Sequence, residues 1–292
     1  MPAADLMIFW NDRQHITQTT RVMTASSTAA GYAIDNAREA DLARAWKPSD
    51  SASTTEWLKV DGGSTLWLGS GSNTVFVAVA YDARGANQNV IRLQTDSVDD
   101  GAFGGTLTDQ WTHTLLKDKV NCSWSSFVSP SKRWYRLAQL GTDRSGGNVT
   151  AKILYWAMYT KVTAGSLDGD ILQMSVDYPG DSEARYQIAQ RNRVGRVETA
   201  GGIVATNKWA TTGQEFSVTF EPASDTLWAS IRRHLSDNDG QHRGMFVQKE
   251  GLENSALSNF FLCRLLSAEW GASREYLGNY NVALQFRTES WL

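Results

Sequence analysis

Between residues 15 and 165 the chain alternates short apolar segments with polar turns, and hardly any stretch has helical periodicity. Val75-Phe-Val-Ala-Val-Ala-Tyr81 is a run of β-favouring residues without polar alternation, the pattern of a strand covered on both faces. Lys152-Ile-Leu-Tyr-Trp-Ala-Met-Tyr-Thr160 is a second such run, heavy in aromatics. Clusters such as Asp61-Gly-Gly-Ser, Gly69-Ser-Gly-Ser-Asn and Arg144-Ser-Gly-Gly-Asn supply the turns between strands. Short strands at this spacing predict an antiparallel sandwich rather than an α/β fold.

The pattern changes after Thr163-Ala-Gly-Ser-Leu-Asp-Gly-Asp170, a small and polar linker. The reading is therefore of two domains, 1–165 and 166–292, both mainly β. Ile171 to Tyr178 alternates strictly, as does Phe216-Ser-Val-Thr-Phe220, and each predicts a half-buried strand. A helix is expected near 225–236: Ser224 or Asp225 can cap it, and Leu227, Trp228, Ile231 and Leu235 form one apolar stripe. Strands resume at Met245-Phe-Val-Gln and Asn281-Val-Ala-Leu-Gln-Phe286. Ser255 to Leu266 fits a second short helix, while Phe260-Phe-Leu-Cys263 within it reads equally as a strand.

Composition narrows the function classes. With 28 Lys plus Arg against 31 Asp plus Glu the net charge is −3, and the two halves carry about +1 and −4, so no field suited to nucleic acid arises. No apolar segment approaches the ~20 residues that span a bilayer, and the N-terminus lacks the cationic start of a secretory signal. A reducing cytoplasm is the expected setting, with the sequons at Asn121 and Asn148 unused. Cys122 and Cys263, 141 residues apart, are expected as reduced thiols in different domains.

Candidate chemistry is sparse. No phosphate loop, nucleophile elbow or dinucleotide fingerprint is present, and Gly69-Ser-Gly-Ser-Asn-Thr precedes a strand, so no helix terminus faces it. His234 and His242 flank an Asp/Asn/Gly turn with no third ligand in a metal-binding pattern. Asp99-Asp100 and Asp237-Asn-Asp239 read as solvated loops ahead of calcium ligands or a hydrolytic carboxylate pair. The expectation is no enzyme, no cofactor and no metal. Arg191 and Arg193 alternate on one strand and suit an anionic groove or a subunit interface, where arginine is enriched. Trp111 and Trp124, set among polar residues, are candidate exposed platforms for sugar or protein.

Two resemblances add to this. Thr24-Ala-Ser-Ser-Thr-Ala-Ala-Gly-Tyr-Ala-Ile-Asp-Asn-Ala, Asp41-Leu-Ala-Arg-Ala-Trp46-Lys-Pro and Glu56-Trp-Leu-Lys-Val-Asp61 open a segment similar to the discoidin-type (galactose-binding-like) jelly roll. Arg133-Trp-Tyr-Arg-Leu-Ala-Gln-Leu and Ile153-Leu-Tyr-Trp-Ala-Met-Tyr close it, although the flanking disulfide of that family is absent. The resemblance implies an N-terminal sandwich with Trp46, Trp57, Trp134 and Trp156 packed into it.

Residues 185 to 250 resemble a segment of tail-tip proteins of long-tailed bacteriophages. The resemblance rests on Arg191 to Val197, Gly201-Gly-Ile-Val, Asn207-Lys-Trp209, Phe216 to Phe220, the helix Thr226 to Leu235 and Met245 to Gln248. It implies the order strand, hairpin, strand, helix, strand of a tail-tube-like ring domain, as in distal-tail and related baseplate proteins. The function then expected is a non-catalytic virion structural protein, assembled in the host cytoplasm. Its partners would be copies of itself in a ring, other tail and baseplate proteins, and a host surface glycan. The alternative is a carbohydrate-binding module that recognises such a glycan.

Overall fold

The computed structural model describes residues 6–9, 22–38, 43–49, 55–62, 74–83, 90–117, 120–128, 130, 132–140, 150–160, 171–174, 184–191, 194–198, 204–208, 213–237, 245–249, 260–266, 272–276 and 279–288. The described chain is mainly β, with one α-helix and one short 3-10 turn.

Strand β1 is Leu6–Phe9. The sandwich follows: β2 (Met23–Ala25), a 3-10 turn at Ile34–Arg38, β3 (Glu56–Asp61), β4 (Thr74–Asp82), β5 (Val90–Asp96), β6 (Leu107–Thr114), β7 (Val120–Val128), β8 (Trp134–Gln139) and β9 (Lys152–Thr160). These form two antiparallel sheets, one of five strands in the order β2-β3-β8-β5-β6 and one of three in the order β7-β4-β9. Their inner faces share one core, in which Trp46, Tyr81, Tyr135 and Trp156 are almost completely buried. Trp46 fastens the loop before β3 to β9 by two backbone hydrogen bonds with Ile153, each 2.9 Å.

Alternation along β3 sets the two faces. Leu58 and Val60 enter the core, while Trp57, Lys59 and Asp61 lie on the outer side. Glu56 is buried at the strand's start, where its carboxylate accepts from the hydroxyls of Ser26 and Ser27. In β9 the residues of both faces are buried, Ile153, Trp156 and Met158 toward the core and Tyr155 and Ala157 on the other side, as its unbroken apolar sequence predicts.

The remaining strands are β10 (Ile171–Met174), β11 (Ala184–Arg191), β12 (Val194–Glu198), β13 (Val204–Lys208) and β14 (Gly213–Ser224). Helix α1 (Asp225–Asp237) comes next, and then β15 (Met245–Lys249), β16 (Phe260–Leu265), β17 (Ala272–Tyr276) and β18 (Asn279–Thr288). A second sheet of eight strands runs β10-β1-β15-β16-β18-β14-β11, with β17 also paired to β18. β12 and β13 form a separate two-stranded hairpin. A bulge in β14 between Phe220 and Ala223 takes in Pro222, which has no N–H for the ladder. The helix follows its expected stripe: Ile231 and Leu235 are buried, Trp228 packs 5.9 Å from the Tyr280 ring, and Arg232 is exposed. The ambiguous Phe260-Phe-Leu-Cys263 lies in strand β16.

One strand departs from the division expected at residue 165. β1 pairs with β10 from Leu6↔Met174 to Phe9↔Ile171, and on its other side with β15 from Leu6↔Lys249 to Phe9↔Phe246. Four consecutive apolar residues suit such an interior position, but nothing local in the sequence points to partners so far along the chain. Residues 22–160 therefore lie, in sequence, between two strands that are neighbours in the second sheet. The expected linker at 163–170 lies outside the described residues.

The two β units meet along β7 and β16. The Cys122 thiol receives a hydrogen bond from the Leu262 backbone, and burial pushes that thiol well above its ordinary pKa. Cys122 and Cys263 are both buried free thiols. Placed in different domains by the sequence, they come within one residue of a shared contact.

Candidate functional site

Of the residues singled out for ligand contact, Trp111 and Trp124 are buried, at 5% and 4% exposure, which removes the expected exposed platforms. Trp111 points into the sandwich from β6 and stacks with Tyr81 (6.3 Å, 17°) and His113 (5.8 Å, 8°). Trp124 stands opposite Ala78 on β7, two residues from Cys122 and therefore on the face of the three-stranded sheet that meets β16. Their polar sequence neighbours misled because β6 has exposed polar residues on either side of the buried Trp111, while on β7 both faces are buried around Trp124. The polar positions of β7 are themselves buried: Asn121 is 0% exposed and is tied to Leu116 by two hydrogen bonds, so its sequon is inaccessible.

Among the described tryptophans of the sandwich, those exposed in part are two that the family resemblance assigns to the core. Trp57 and Trp134 lie on the outer face of the five-stranded sheet and bracket Lys59, whose ammonium is 4.9 Å from one ring centroid and 5.2 Å from the other. Arg133 stacks over Trp134 at 5.2 Å and forms a two-pronged ion pair with Asp61 at 2.5 Å. The order on this face is cation, ring, cation, ring. The in-out alternation of Glu56-Trp-Leu-Lys-Val-Asp61 was the signal for it, since Trp57 shares a side with Lys59 and Asp61.

The loop Ser97–Thr106 covers one end of that face, and its carboxylates hold it in place. Asp99, itself at φ 56°, accepts the backbone N–H groups of Arg133 and Trp134. Asp100 accepts from Ala102. Hydrogen bonds from backbone N–H groups, Gly105 first, hold the Asp96 carboxyl below the usual carboxylate range. Asp99-Asp100 is thus a set of loop caps. Phe103, also at positive φ (57°), is buried against the guanidinium of Arg136 at 4.5 Å. Arg136 in turn donates to Gln94, and Gln94 to Asp109.

Lys59 donates 2.6 Å to the carbonyl of Gly101, which closes the loop over Trp134. Gly101 sits at φ 78°, and a Cβ there would come within 2.7 Å of the Trp134 ring. Gly101→Ala is expected to cost about 1–3 kcal/mol, from left-handed strain plus a clash with an aromatic ring that cannot yield. Chemical denaturation measures it, and an unchanged midpoint would contradict the packing described.

The second sheet holds the arginine candidates. Arg191 ends strand β11, opposite Gly213 of β14; Arg193 lies outside the described residues. Of the two histidines weighed as ligands, His234 belongs to α1 and His242 lies outside the described residues, as do the glycine-rich turn at 69–74 up to its last residue and Asp239. Among the described residues no group of three His, Cys, Asp or Glu is placed to hold a metal ion. No helix of the described chain is long and apolar enough to cross a membrane.

What this arrangement offers is surface. One is the ring-and-cation face of the sandwich; the other is the pair of terminal strands, β10 and β11, which end the eight-stranded sheet without an outer partner among the described residues.

No protein-family model matches the chain, and no curated protein matches it. Among solved structures, it is similar at a TM-score of 0.35 and 15% identity to the family 32 carbohydrate-binding module from C. perfringens NanJ, solved in complex with galactose. The alignment covers 49% of this chain and 97% of that one.

Proposed function

We propose that the chain is a non-catalytic structural protein of a phage tail tip or baseplate. Its second sheet would build a closed ring, and the sandwich would be presented from it. The observation that carries this reading is the element order from β11 to β15. Strand, hairpin, strand, helix and strand follow one another as in the tail-tip segment that residues 185–250 resemble. Its strands β11, β14 and β15 sit in a sheet whose terminal strands lack an outer partner among the described residues. Unpaired edges are sites where a neighbouring chain adds a strand, and a heterologous contact that closes on itself yields a ring.

Mass photometry or light scattering of the full chain tests this. A discrete closed oligomer is expected, whereas a monomer at every concentration up to the solubility limit would overturn the ring.

A second reading, a glycan-recognising module, is favoured by one feature: the half-buried Trp57 and Trp134 rings beside Lys59, Arg133 and Asp61. Aromatic faces flanked by charged donors suit stacking on sugar rings. Saturable quenching of tryptophan fluorescence by host polysaccharide, lost in Trp57→Ala, would establish that binding; no quenching would dismiss it.

A further inference from the structure

The cations on the outer face of the five-stranded sheet are not equally compensated. Arg92 pairs with Asp109 at 2.5 Å, and Arg133 with Asp61 at 2.5 Å. Lys59 and Arg136 form no ion pair among the described residues. Yet they stand directly opposite each other on β3 and β8. Both lie on the outer side, because Leu58, Val60, Tyr135 and Leu137 take the inner one. Like charges so placed, with Cβ atoms about 5 Å apart, destabilise a sheet. Arg136 is also only 7% exposed, and burial holds its guanidinium below its ordinary pKa despite Asp96 and Asp109 nearby. Arginine stays protonated in a protein, so this charge is buried without a full counterpart.

What caps the two cations is neutral, and both caps come from the loop Ser97–Thr106. The Gly101 carbonyl accepts from the Lys59 ammonium at 2.6 Å, and the Phe103 ring lies 4.5 Å from the Arg136 guanidinium carbon. Each cap presents only partial negative charge. Of the five guanidinium N–H groups, Nε–H alone has an acceptor among the described residues, Gln94 at 2.9 Å. The loop holds this form with Asp99 and Phe103 both in left-handed backbone conformations, which side chains rarely adopt.

We propose that Lys59 and Arg136 form a site for the carboxylate of an acidic sugar, reached when the loop Ser97–Thr106 lifts its two neutral caps away. The proposal rests on the glycan reading above and deepens it by naming the class of sugar. A carboxylate has two oxygens, which match the fork of the arginine's terminal nitrogens, and its full negative charge offsets both cations at once. The half-buried Trp57 ring, 4.9 Å from the Lys59 ammonium, gives the apolar face of the sugar a surface to rest on. A neutral sugar offers the two cations nothing that the loop does not already supply, so charge sets the selectivity.

Titration of the full chain with a uronic-acid oligomer, read by tryptophan fluorescence at about 0.1 M ionic strength, tests it. A galactose oligomer of the same length is the neutral control. Saturable binding of the acidic oligomer alone is expected, weakened roughly tenfold or more in Arg136→Gln and in Lys59→Gln. Phe103→Gly, which removes one cap, should instead tighten it several-fold; weaker binding in that variant would contradict the displacement of the loop. Equal binding of the two oligomers would overturn the site and leave the glycan reading standing, whereas binding of neither would remove that reading itself. Should Arg136→Gln fail to fold, as read by its circular dichroism, the half-exposed Lys59 decides the matter: unchanged affinity in Lys59→Gln would overturn the proposal.

Discussion

Trp46→Ala is expected to remove about 3–5 kcal/mol of the sandwich's stability, enough to leave a marginal domain partly unfolded. The indole is 1% exposed and stands within the core cluster between the two sheets. Truncation therefore leaves a cavity the size of an indole, in a place where the surrounding strands cannot collapse. The ring nitrogen also donates to the Ser27 carbonyl at 3.2 Å and the Thr28 hydroxyl at 3.3 Å, so the substitution frees two acceptors as well. Trp156 supplies the control. It is equally buried, but its Nε1 has no partner among the described residues, so Trp156→Phe sacrifices volume alone and should cost less than Trp46→Phe. Denaturant titration of the three variants would test this, and equal losses for the two phenylalanine variants would contradict the role given to the Trp46 hydrogen bonds.

The second large effect is on pH. Burial lowers the pKa of His113 from 6.5 to about 4, because the imidazole packs beside the Tyr81 and Trp111 rings, in contact with both, and its Nε2 has no partner among the described residues. The groups facing it are the Tyr81 ring from β4 and the Trp111 ring from its own strand, and burial alone accounts for the shift, with no contribution from a charged neighbour. An unfolded chain takes up this proton as pH falls through 6.5, whereas the native chain resists until about 4. The native state is thus fully favoured above pH 6.5 and loses ground between 6.5 and 4, by at most about 3 kcal/mol, with no further loss from this group below that. Asp96 acts in the same sense at lower pH: its pKa is depressed from 3.8, so its contribution disappears only as pH falls through that range. Stability measured from pH 7 to 4 should therefore fall in the natural chain and stay nearly level in His113→Phe, which keeps an aromatic ring in the stack. A variant with the same slope as the natural protein would show that another group titrates.

The sequence disclosed the strands and the helix well, because their signals are local. β4, β9 and α1 lie where apolar runs and a helical stripe place them, and Phe260–Leu265 became a strand because β15 and β18 were there to pair with it. The tryptophans were legible only in part. Trp46 and Trp156 are core residues as the resemblance implies, yet Trp57 and Trp134 lie on the outer face, while Trp111 and Trp124 are buried. Polar neighbours say which residues alternate with a tryptophan; they do not say which side of the sheet is wet. For β7 the nominally outer side is dry because a second sheet covers it at Leu262, a contact between residues far apart in sequence. The candidate surfaces were legible to a similar degree. Arg191 stood out by alternation, but that β10 and β11 are the two ends of one sheet depends on five intervening strands, one of which comes from the start of the chain.

That first strand has a consequence for how the chain is made. Leu6–Phe9 leaves the ribosome before the other described elements, but its neighbours are residues 171–174 and 245–249. During synthesis the sandwich, whose strands pair among themselves within residues 22–160, can close while β1 still waits. Several seconds of translation then separate the first strand from β10, and more separate it from β15. For that interval an apolar tetrapeptide stands unpaired beside a finished domain, a template for the wrong strand. A strand made early is thus among the last to be built in, and completion of the second sheet reports that synthesis has passed residue 249.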